Sequence, residues 1–96
     1  MSSTPDPGAA YRLILTPKAT HALANRIPAK AALAIYALTT GPLLQNPHRL
    51  GKALTVPFEG LFSARTGSYR VIYTIDQADK LVKIVAIGHR ADVYRP

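Results

Sequence analysis

Two segments near the C-terminal end, "YRVIYTI" at 69–75 and "LVKIVAI" at 81–87, restrict the possible folds more than any other feature. Each is rich in β-branched and aromatic residues, and each carries apolar side chains at odd and even positions alike. A strand with one wet face alternates apolar with polar residues, so these two are expected as central strands covered at least partly on both sides. Asp76, Gln77, Ala78 and Asp79 separate them by a short polar turn, which makes them antiparallel neighbours. Upstream, residues 61–65 form a third strand, joined to 69–75 through a turn at Thr66, Gly67 and Ser68.

The N-terminal half is helical. "YRLIL" at 11–15 is a short apolar strand, and "TPKATHALANR" then opens with Thr16 as N-cap and Pro17 at the first helical position, where a missing N–H costs nothing. "IPAKAALAIYALTTG" repeats the device, with Pro28 starting a second helix and Gly41 ending it. Two helices joined this closely pack as a hairpin. The segment "PLLQNPHRLGKALTVPFEG" reads mainly as loop, with "ALTV" touching a sheet edge. Residues 1–10 read as a disordered leader and 11–96 as a single domain. The expectation is an α+β fold of order β-α-α-β-β-β, a helical hairpin packed on a small, mostly antiparallel sheet.

Composition then narrows the chemistry. The chain has 96 residues and no cysteine, so disulfides, thiolate metal sites and thiol nucleophiles are excluded. The three histidines share no ligand spacing, the five acids are scattered, and no glycine-rich phosphate loop is present. No metal and no cofactor are expected. Neither a membrane span of about 18 apolar residues nor a signal peptide is visible, so the expected location is the cytoplasm. Twelve Lys and Arg against five Asp and Glu give a net charge of +7, a field that attracts polyanions. That charge sits on patterned segments: residues 49–70 hold Arg49, Lys52, Arg65 and Arg70 against one acid, Glu59.

On the strand at 69–75, Arg70, Ile72 and Thr74 face one way, and Tyr69, Val71, Tyr73 and Ile75 the other. An arginine among apolar strand residues must reach water or meet an anion. The hairpin brings Arg65 toward Arg70, and "GHRADVYRP" supplies His89, Arg90 and Tyr94 just past the last strand. A phosphate-binding patch is one reading; surface arginines paired with Glu59 or Asp92, on a sheet braced by Tyr69 and Tyr73, is the other.

"TPKATHAL", "NPHRLGKAL", "GLFSARTGSYRVIYTID" and "VAIGHRADVYR", in this order and spacing, resemble the RelE/ParE toxin superfamily in its RelE branch, from Tyr11 to Tyr94. The resemblance implies a toxin of a type II toxin–antitoxin pair that cleaves messenger RNA in the ribosomal A site. It implies a metal-free attack of the ribose 2′-OH on the adjacent phosphate, with a RelB-like antitoxin as partner. Arg70 and Arg90 would stabilise the phosphate charge, Arg65 would share that surface, and Tyr94 would stack on a base or move a proton. Lys52, Arg49, His89 and Ser63 would line the RNA path, although for His89 packing is the preferred reading over a role as acid or base beside Arg90. Ser63 stands where some relatives carry another basic residue, and Lys52 is placed to compensate. Inhibition of DNA gyrase, as in the ParE branch, is the alternative activity.

Overall fold

The structure, a computed structural model, describes residues 11–90 and Val93. The leader expected at 1–10, together with Asp92 and Tyr94, lies outside the described residues. Strand β1 (Arg12–Leu15) is followed by helices α1 (Pro17–Asn25) and α2 (Ala29–Thr40), the single-turn helices α3 (Pro42–Gln45) and α4 (Pro47–Leu50), and strands β2 (Lys52–Ala53), β3 (Phe62–Thr66), β4 (Tyr69–Asp76) and β5 (Leu81–His89). The expected α+β order is present, with more structure in the segment read as loop. Prolines and glycines there do not abolish structure; Pro42 and Pro47 each begin a helical turn where no donor is needed.

Helix α1 starts as its sequence dictates. The Thr16 hydroxyl accepts the Ala19 N–H at 3.2 Å, and Pro17 follows. Its buried residues are Ala19 and Ala22, small enough to let the helix lie close on β5. The five strands run in the order β1-β5-β4-β3-β2, with β1 parallel to β5 and every other pair antiparallel. The core lies on the face shared with the helices, where Ile35 and Leu43 meet Val71, Tyr73, Val82 and Ile84. Phe62 stacks on Tyr73 with ring centroids 5.6 Å apart.

One irregularity decides what faces what. Ile72 pairs with Ala86 and Tyr73 with Ile84, so Val85 is an extra residue, a β-bulge in β5. Below the bulge Val82 and Ile84 face the core; above it Ile87 and His89 do. Strict alternation would have turned His89 to the opposite side.

Tyr73 ties the α4 turn to the sheet. Its hydroxyl donates to the Pro47 carbonyl at 2.6 Å, and it is fully buried. Burial pushes its phenol up to about 12, against an opposing hydrogen bond from the Gly51 backbone. A Cβ at Gly51 would collide with that hydroxyl and lie 2.9 Å from the Ser63 carbonyl, so glycine is required there by space rather than by backbone angle.

Candidate nucleic-acid interface

The strand register assembles the site on the face of the sheet away from the core. Arg65 and Arg70 are direct cross-strand partners, as are Ser63 and Ile72, and Lys52 pairs with Ser63. Side chains that pair directly share a face, so Lys52, Ser63, Arg65 and Arg70 share this one. The hairpin turn between Thr66 and Tyr69 holds only Gly67 and Ser68, and Gly67 has φ +60°. A positive φ at the first of two turn residues gives the type II′ geometry whose twist matches the strands. In such a hairpin the pair one step inside the closing pair is not hydrogen-bonded, and its Cα atoms lie only about 4.5 Å apart. Two guanidinium groups therefore rise side by side from Arg65 and Arg70.

Like charges directly opposite one another destabilise a sheet. Nothing among the described residues relieves this pair, because neither arginine makes a side-chain hydrogen bond or ion pair. An anion held between them would convert repulsion into two charge-assisted contacts. Arg90 joins them at the same end of the sheet. Its main-chain N–H donates to the Ser68 carbonyl at 2.8 Å, which pins it to the hairpin turn beside Arg70. Opposite Arg70 stands Gly88, so no side chain from β5 screens the guanidinium.

The remaining predicted residues are distributed differently. Ser63 is buried, and its Oγ has no hydrogen-bond partner among the described residues. Lys52 is exposed. Arg49 is exposed on α4, outside the strand register that gathers the others. His89 lies on the core face, where it pairs with Tyr69 and its ring meets that of Tyr69 edge-on at 5.7 Å. Tyr94 lies outside the described residues.

Two cations escaped the sequence reading. Lys83 pairs with Thr74, and Arg12 precedes the core-facing Leu13, so both belong to the same face as Arg70. Each of the five strands thus presents one cation there: Arg12, Lys52, Arg65, Arg70 and Lys83. The signal was available in "YRLIL" and "LVKIV", where a lone cation interrupts an apolar strand. Among the described residues no group of three His, Cys, Asp or Glu is placed to hold a metal, and no helix is long and apolar enough to cross a membrane.

Known proteins share this chain's sequence and fold. The family described as "ParE toxin of type II toxin-antitoxin system, parDE" matches residues 13–94. The toxin RelE of Mycobacterium tuberculosis is 47% identical over 85 residues, which are 88% of this chain and 87% of that protein. The toxin RelG of the same organism is 39% identical over 71 residues, covering 74% of this chain and 82% of that one. Among solved structures, the RelBE2 toxin–antitoxin complex of M. tuberculosis superposes with a TM-score of 0.81 at 34% identity, over 85% of this chain and all of the other. The chain belongs to the RelE/ParE family of type II toxin–antitoxin toxins.

Proposed function

We propose that this toxin is an endoribonuclease that cleaves messenger RNA in the ribosomal A site, acting in the cytoplasm, and that a RelB-like antitoxin restrains it. The cross-strand pair Arg65–Arg70 on a cationic sheet face carries the reading, since it is a repulsive arrangement that a phosphate resolves. In the reaction the ribose 2′-oxygen bonds to the neighbouring phosphorus and the P–O5′ bond breaks. The products are a 2′,3′-cyclic phosphate and a free 5′-OH. The proton lost by the 2′-OH goes to a base, and another is supplied to the departing O5′. Charge grows on the non-bridging oxygens, where guanidinium groups already in place stabilise it without reorganisation. Arg70 and Arg90 take that role, and Arg65 widens the cradle. Tyr94, four residues after Arg90, is assigned base stacking or proton transfer, and its phenol needs neighbouring cations to become an effective base near neutral pH. No step calls on a metal.

The test is a 5′-labelled message on purified ribosomes with the A site empty. Wild type should cut only in the ribosome's presence and leave a cyclic phosphate end. Arg70→Ala should lose roughly 10²–10³-fold in rate, the size of one lost preorganised donor. Absence of cleavage by the wild type would overturn the reading. The family description includes ParE, which favours gyrase as the second reading, and a supercoiling assay would then decide it.

A further inference from the structure

Helix α2 is apolar on both of its sides. Ile35 and Thr39 are buried against the domain, and Ala31, Ala32 and Leu38 pack on the core. The opposite side carries Ala29, Leu33, Tyr36 and Thr40, all exposed, with Leu33 71% and Tyr36 59% accessible. A helix that is apolar all round belongs inside a larger body, and exposed apolar side chains grouped on one surface mark a contact. The steps of four, three and four residues between these positions are those of a helix–helix seam. Covering the seam strands little, because the Thr40 hydroxyl already donates to the Tyr36 carbonyl at 2.7 Å.

Charge says what fits there. Residues 31–47 contain no Asp, Glu, Lys, Arg or His, in a chain of net charge +7. A polyanion or an acidic protein gains nothing from this surface and is drawn to the cationic side of the sheet. A second copy is repelled at that cationic side but meets its like on α2 with no charges opposed. The seam is also self-complementary. An antiparallel pairing with its two-fold axis between positions 34 and 35 sets Leu33 against the partner's Tyr36 and Ala29 against the partner's Thr40. Lys30 lies in the first turn of α2, where the helix dipole disfavours a cation, and the last turn holds no basic residue. The antiparallel pair puts each Lys30 beside the other helix's last turn, the end that favours it.

We infer that the outer side of α2 is the contact between two copies of this chain. The helix has 12 residues and is about 18 Å long, too short to bury the roughly 800 Å² per partner of a standard stable interface. The dimer is therefore weak and reversible. Because α2 packs on the core face of the sheet, both cationic faces point away from the contact, and dimerisation leaves the RNA site of each copy in place.

The test is sedimentation equilibrium of the full chain from micromolar to millimolar concentration. The average mass should climb from 10.4 kDa toward twice that value. Leu33→Lys, at a position exposed in the monomer, should raise the dimer dissociation constant roughly tenfold or more by setting like charges across the axis. Cleavage on ribosomes should be unchanged. Lys30→Glu should also weaken the dimer at low salt, while leaving the monomer as stable to heat as wild type or more so. The chain has no cysteine, so Leu33→Cys and Tyr36→Cys report the orientation. A mixture of the two single variants should form the cross-link faster under mild oxidant than either variant alone. A mass that stays at 10.4 kDa throughout, or a mixture no faster than its components, overturns the inference. If the free chain is monomeric and the cognate antitoxin instead shields Leu33→Cys from thiol labelling, the seam belongs to the antitoxin and the inference is equally overturned.

Discussion

Tyr73 shows how one phenol can serve the fold alone, whereas Tyr94 is the one assigned to the proposed chemistry. Tyr73 is buried on the core face and bonded to Pro47, away from the arginine pair. Tyr73→Phe leaves a buried carbonyl without its donor and should cost about 1–3 kcal/mol in urea unfolding at neutral pH. The pH dependence has a definite sign. The folded phenol ionises near 12, above the ordinary value of 10, so its contribution is complete below pH 10 and is lost as pH rises from 10 to 12. Stability measured across that interval should fall less steeply in Tyr73→Phe than in wild type. Gly51→Ala pushes a methyl into the same hydroxyl and should destabilise by about 1–3 kcal/mol, because neither Tyr73 nor the Ser63 backbone has room to retreat. The sequence already placed Tyr69, Val71, Tyr73 and Ile75 on one strand face. The need for glycine at position 51 was not legible, because it arises from a contact with a residue 22 positions away.

At the scale of elements the β3–β4 hairpin is the device that makes the site. Gly67 supplies the φ of +60° that the two-residue turn requires. Gly67→Ala should cost about 1–3 kcal/mol and disturb the Arg65–Arg70 register, readable as reduced stability together with reduced RNA binding. Arg65→Gln separates fold from function in the opposite sense. Removing one of two facing charges should stabilise the free protein by about 0.2–1 kcal/mol at low salt while weakening RNA binding. Thermal unfolding at low and high ionic strength checks the first half, since salt should shrink the difference. The hairpin itself was readable from turn residues and alternating faces. Packing was the preferred reading of His89, but the face it takes was not legible, because the extra residue Val85 reverses strand parity and no local signal in "LVKIVAIGH" announces a bulge. The turns α3 and α4 were hidden by prolines, which mark helix starts as readily as loops.

Across the whole molecule the sheet separates two surfaces. One face carries a cation from every strand, and the other carries the helices. Five cations on one face of a chain of net charge +7 should make RNA or ribosome affinity fall steeply with salt, and each of Arg65, Arg70 and Lys52 changed to Ala should lower the slope of log affinity against log salt by about 0.7. Arg12 and Lys83, nearer the other end of the strands, should change it less. The most direct test of messenger cleavage is primer extension on a defined message after brief induction of wild type and of Arg70→Ala. New 5′ ends inside the reading frame, present only while the message is translated and absent with Arg70→Ala, are the expected result. Growth arrest by the wild type with every message intact would contradict cleavage as the toxic activity.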